Sequence, residues 1–209
     1  MKNVLGAIAI GLGGLFLWRA VSSNGACVPV GPRRVVCLGD SITAHGGYPA
    51  ALQGLLPAGS GADTLGYPGA GTAAIQGHIG EALAGAPTDL VLLAGANDIA
   101  SGRKISTSLS NITAMVSSAK AKGVRVILVT LTPWAAHTRY NGAKTSSLVN
   151  AIIRMQDLPS VVVVTTDKLG NSMGGLKSEY DSGDGLHLNN AGQAALGKAV
   201  FAQAFTVCK

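Results

Sequence analysis

The sequence predicts an α/β domain, a three-layer α/β/α sandwich around a five-stranded parallel sheet. From about Arg33 onward, short β-branched runs alternate with longer helical patterns, which is how repeated βα units with right-handed crossovers read in sequence. The strand runs are near-continuously apolar rather than alternating, as expected of strands covered on both faces. The 209 residues are 47% hydrophobic and 12% charged, with a mean hydropathy of +0.36. These values exclude a disordered chain, a coiled coil and a disulfide-framework miniprotein, and they suit one domain with a short appendage.

The appendage is residues 1–26. Val4 to Trp18 holds eleven apolar side chains, four glycines and no charge, between Lys2 and Arg19. As a helix it would span roughly 22 Å, short of a hydrocarbon core of about 30 Å but matched to a signal-peptide apolar region. A signal peptide or membrane anchor is therefore expected, with the chain exported to the periplasm, the envelope or the exterior. Ala20-Val21-Ser22 and Ser23-Asn24-Gly25 both offer small residues for cleavage, whereas Trp18-Arg19 suits an anchor boundary. The net charge of +6 belongs largely to this end: Lys2, Arg19, Arg33 and Arg34 precede the first acidic residue, Asp40. The remainder is nearly neutral and has no basic stripe, so no nucleic-acid partner is expected.

Residues 27–209 form the domain. Strands are predicted over Arg34 to Leu38, Asp63 to Leu65, Leu90 to Leu93, Val124 to Thr130 and Val161 to Thr165. Helices are predicted over Pro49 to Leu56, Thr72 to Leu83, Ser106 to Lys122, Ser146 to Met155 and Asn190 to Phe205. In Ser106 to Lys122, the residues Leu109, Ile112, Val116 and Ala119 share one face, and Gly123 stands where a helix ends. Cys37 lies within the first strand and reads as a buried thiol. Cys27 and Cys208 flank the domain, and a bond between them would require an oxidising compartment.

In a parallel sheet of this kind the ligand sits outside the carboxyl ends of the strands. The loops there hold Gly39-Asp40-Ser41-Ile42, Gly66-Tyr67-Pro68-Gly69, Gly95-Ala96-Asn97-Asp98 and, before the last helix, Asp184-Gly185-Leu186-His187. A hydroxyl, permissive glycines, an amide and an Asp three residues before a His are the parts of an acyl-transfer site. With these four blocks in this order, the chain resembles the SGNH hydrolase superfamily, the GDSL-type esterases and lipases, over Arg33 to Phe205. The resemblance implies a flavodoxin-like fold and a serine esterase acting through an acyl-enzyme.

Carried over position by position, the resemblance makes Ser41 the nucleophile, His187 its base and Asp184 the residue that orients the imidazole. Asp181 is a nearby competitor whose spacing does not match. The oxyanion donors would be the backbone N–H groups of Ser41 and Gly69 and the side-chain amide of Asn97, with Gly66 and Gly71 as alternatives to Gly69. Asp40 and Asp98 are expected to brace their loops. No metal-ligand spacing occurs, so neither a metal nor a cofactor is expected.

Tyr48, Tyr67, Trp134, Tyr140 and Tyr180 fall in predicted post-strand loops. Rings with polar tips around a cleft suit an acylated carbohydrate, such as a short acyl group on an envelope glycan. These five and His137 are the candidate substrate contacts. His45 is a further rim candidate, and His78 reads as a surface residue. An acyltransferase with the same triad, a lysophospholipase or thioesterase, and a silent glycan-binding envelope protein are the competing readings.

Overall fold

The computed structural model describes residues 27–29 and 31–208. The apolar run, both cleavage alternatives and the boundary at residue 26 lie outside the described residues. Among the described residues, no helix is long and apolar enough to cross a membrane.

Strand β1 (Cys27–Pro29) pairs antiparallel with β7 (Thr206–Cys208), so that Cys27 stands opposite Cys208. A bond between those two side chains lies outside what is described. The main sheet contains β2 (Arg34–Gly39), β3 (Gly61–Gly66), β4 (Asp89–Leu93), β5 (Arg125–Val129) and β6 (Val161–Val164). All neighbours are parallel, in the order β3-β2-β4-β5-β6. Counted within the sheet this is 2-1-3-4-5, the flavodoxin-like order, and it reverses direction between β2 and β4. The crevice of the fold is therefore built by the loops that leave those two strands.

Alternate strand residues feed two cores, which is why the runs are apolar throughout. On one face Val36, Leu38, Leu90, Leu92, Val126 and Leu128 pack under α3 (Thr72–Gly77), α4 (Ile79–Ala82), α6 (Ile105–Ala121) and α7 (Gly142–Arg154). On the other face Val35, Cys37, Val91, Leu93, Ile127 and Val129 pack under α2 (Gly47–Leu55) and α8 (Asn190–Ala204). Burial pushes the Cys37 thiol up to about 12, so it serves as a small apolar side chain.

Two helices depart from expectation for local reasons. The single helix predicted over Thr72 to Leu83 is broken at His78, in a stretch weakened by Gly77 and Gly80. Helix α7 starts four residues before Ser146, because the Asn141 side chain accepts the Lys144 N–H at 3.0 Å and caps it. The short helices α1 (Ser41–Ala44) and α5 (Ala96–Ala100) were not predicted, and both carry site residues.

Candidate active site

Ser41 owes its position to the residue before it. Asp40 caps α1 by accepting the Ile42 N–H at 3.1 Å, which turns the chain sharply from β2 into the helix and presents Ser41 at its first position. Gln193, buried in α8, holds the same turn from behind. Its amide donates to the Ile42 carbonyl at 3.1 Å and accepts the Tyr48 N–H at 2.8 Å. Sequence reasoning missed Gln193; its signal was an amide on the face of the last helix that also carries the buried Leu196 and Val200.

Ser41 Oγ lies 2.9 Å from His187 Nε2, and His187 Nδ1 lies 2.6 Å from Asp184 Oδ2. With the proton on Nδ1, the imidazole donates to Asp184 and offers Nε2 as acceptor to the serine. The other Asp184 oxygen accepts the backbone N–H groups of Leu186 and His187 at 2.9 and 2.8 Å. Partial burial raises the Asp184 carboxyl, but these hydrogen bonds from His187 and Leu186 outweigh it and hold the group well below the usual carboxylate range. Asp181 plays a different part, accepting the N–H groups of Gly183 and Gly185 at 2.8 and 3.0 Å and so shaping the loop that carries Asp184.

The neighbouring loops meet on the opposite side of Ser41. The Asn97 amide donates to the Ala70 carbonyl at 3.1 Å and reaches Asp40 Oδ2 at 3.5 Å, placing it between the Ser41 turn and the Gly69 loop. Asp98, buried, ties those loops together by accepting Thr72 N–H at 2.7 Å and Thr72 Oγ1–H at 2.9 Å. The three candidate glycines separate by geometry. A Cβ on Gly66 would overlap the Ala44 backbone, and one on Gly71 would stand 3.0 Å from Asp98 Oδ2, so both are packing glycines. Gly69 has φ +73 and open space around it, as a residue presenting its backbone to a ligand requires. Burial pushes the Asp40 carboxyl up to about 6, against the lowering pull of the Ile42 N–H and of His187.

The aromatic candidates do not form one cleft. Tyr48 is a correction: it lies in α2, wholly buried, with its hydroxyl 3.1 Å from Thr43 Oγ1, and belongs to the core behind Ser41. Tyr67 stacks on His78 at 3.6 Å and donates to Glu81 at 2.8 Å, which pins the Gly69 loop from outside. Tyr180 packs against the α8 core under Lys177. Trp134, His137 and Tyr140 form a cluster in the loop after β5, with Trp134 buried rather than on the rim. His45 is exposed, its ring edge-on to His187 at 5.7 Å. Among the described residues, no group of three His, Cys, Asp or Glu side chains is arranged to hold a metal ion.

A model of the GDSL-like lipase/acylhydrolase family matches residues 37–195. No curated protein sequence matches the chain. Among solved structures, a GDSL-like lipase from Bacteroides thetaiotaomicron superposes with a TM-score of 0.68 at 23% identity, covering 82% of this chain and 86% of its own. A lipase/acylhydrolase from Enterococcus faecalis gives 0.69 at 20%, over 85% and 98% of the two chains. An acetyl xylan esterase gives 0.69 at 17%, over 82% and 100%.

Proposed function

The chain belongs to the GDSL-like lipase/acylhydrolase family and is an ester hydrolase, and from that premise we propose that it cleaves short acyl esters on a glycan through a Ser41 acyl-enzyme. The observation that carries the mechanism is the continuous relay from Ser41 through His187 to Asp184, at 2.9 and 2.6 Å.

Ser41 Oγ attacks the ester carbonyl while His187 Nε2 takes its proton, and Asp184 stabilises the imidazolium. The oxyanion of the tetrahedral intermediate is met by the N–H groups of Ser41 and Gly69 and by the Asn97 amide. Collapse breaks the C–O bond, and His187 returns its proton to the departing alcohol. Water, deprotonated by the same imidazole, then attacks the acyl-serine and releases the acid. Every proton in the cycle is held by His187, so no step calls on a metal or cofactor.

The short acyl chain and the glycan are supported by the open, half-exposed His187–Asp184 pair and by the exposed Tyr140 ring in the loop after β5. A site of action outside the cytoplasm is supported by the apolar run from Val4 to Trp18, and the mass of the exported chain tests it. The function is tested with aryl acetate and acetylated oligosaccharides. Ser41→Ala is expected to lose on the order of 10⁴-fold or more in kcat with folding intact. Equal turnover by both proteins, or predominant acyl transfer to added glycerol, would overturn the reading.

A further inference from the structure

A cavity of about 550 Å³ lies at the carboxyl ends of β5 and β6, against α7. Its volume is in the range of small-ligand sites. The Trp134 and Tyr140 rings stand nearly perpendicular in its wall at 5.4 Å, and Leu131, Val149 and Ile153 add apolar surface. Thr145, Ser146, Asn150 and Asp167 supply hydroxyl, amide and carboxylate groups, and no Lys, Arg or His lines it. Trp134 is packed beneath this wall, 1% exposed, whereas Tyr140 is open to solvent at its rim.

The cavity is joined to the chemistry by packing. A Cβ on Gly185, two residues before His187, would stand 2.8 Å from the Ala136 backbone, so the His187 loop rests on the Trp134–Tyr140 loop. Leu131 in the cavity wall is also a neighbour of Gly95, two residues before Asn97. None of Ser41, Asn97, Asp184 and His187 lines the cavity. A ligand in the cavity is therefore next to the group being hydrolysed and is not that group.

We propose that this cavity binds a neutral sugar unit of the substrate, adjacent to the acylated sugar that Ser41 attacks. The proposal rests on the ester-hydrolase reading only in treating the ligand as the unreacted part of the substrate. A sugar ring presents a C–H face that suits the exposed Tyr140 ring and a rim of hydroxyls that suits Ser146, Asn150 and Asp167. A phosphate headgroup would meet Asp167 with no cation to offset it, and an acyl chain would cover the Ser146, Asn150 and Asp167 polar groups without giving them hydrogen bonds.

The test uses the full chain, whose two tryptophans are Trp18 and Trp134. Tryptophan emission is followed while the protein is titrated with neutral tetrasaccharides of β-1,4-linked xylose and of N-acetylglucosamine, with decanoate and with inorganic phosphate. Aryl acetate turnover of the same samples is measured in parallel. A tetrasaccharide is expected to shift the emission, and Asn150→Ala and Tyr140→Ala are each expected to weaken its binding about 5-fold, the loss of one contact. Aryl acetate turnover without any tetrasaccharide response overturns the subsite and leaves the esterase intact. Tetrasaccharide binding without turnover upholds the subsite and counts against the esterase. A response to decanoate or phosphate alone assigns the cavity to another ligand and overturns the proposal.

Discussion

Asp89 and Asp40 are buried carboxylates at opposite ends of one sheet, 0% and 1% exposed, and they are handled in opposite ways. Asp89 opens β4 at the amino end, where Arg125 reaches it at 2.5 Å, Arg33 at 3.7 Å and the Thr88 hydroxyl at 2.7 Å. Arg125 is itself held by the Ala204 carbonyl at 2.9 Å and lies over the Phe205 ring. Asp40 follows β2 at the carboxyl end and receives only amides, the Ile42 N–H at 3.1 Å and Asn97 at 3.5 Å. Among the described residues no lysine or arginine pairs with it. The amino end is neutralised for stability, and the carboxyl end is left under-compensated where the chemistry occurs.

The sharpest way to break that division is Asn97→Ala. If the Asn97 amide serves the oxyanion, kcat for aryl acetate falls on the order of 10² to 10³-fold, the loss of one oxyanion donor. The melting temperature is expected to move little, since Asn97 makes only two side-chain hydrogen bonds, one of them at 3.5 Å. A variant that unfolds but retains its activity when cold would place Asn97 with the structural residues.

Asp89→Ala tests the other end. It leaves Arg125 beneath the sheet without its carboxylate, and breaking such a buried pair costs about 3 kcal/mol. Arg33 and Arg125 keep some contact with water, at 29% and 24% side-chain exposure, which places the cost at the lower end of what buried pairs show. A melting temperature lower by roughly 6 to 12 °C is expected. Well below the transition, kcat/KM should stay within about twofold of wild type, because no part of Asp89 approaches the triad. A loss of activity without a loss of stability would erase the distinction between the two ends.

Much of this contrast was legible in the sequence, though unevenly. The strands fell within two residues of expectation because continuous β-branched runs have few alternatives, and Ser41, Asp184 and His187 were singled out by the resemblance to the SGNH hydrolases rather than by any local pattern of their own. The roles of Asp40 and Asp98 as braces could also be read, since an Asp beside a turn usually caps it. Tyr48 could not be placed: a tyrosine three residues after His45 reads as a rim residue until α8 is seen packed over it. The cavity was equally invisible, because its walls come from the loop after β5, the segment after β6 and one face of α7, and only folding brings these together. The Asp89–Arg125–Arg33 cluster was missed for the same reason, since nothing local marks an Asp that opens a strand as paired.

Asp40→Asn gives the smallest and most specific effect. The unfolded-chain value of the carboxyl is 3.8, and burial pushes it up to about 6 in the folded protein. Below about pH 4 both states carry the proton and the site costs nothing. Between 4 and 6 the unfolded chain has released a proton that the folded chain keeps, so stability falls as pH rises, and above 6 the loss levels off at about 2 to 3 kcal/mol. Asparagine caps a helix as well as aspartate and cannot ionise. Asp40→Asn is therefore expected to match wild type at pH 4 and to exceed it by about 2 kcal/mol at pH 7.5, read from denaturant unfolding at the two pH values. Asp184, held low by its hydrogen bonds, gives the opposite slope, but it is present in both proteins and cancels in the difference. If the gain at pH 7.5 comes with slower turnover, the ionised carboxylate supports the His187 imidazolium and its instability is retained for activity. If there is no gain, Asp40 is as well compensated as Asp89, and the contrast between the two ends of the sheet fails.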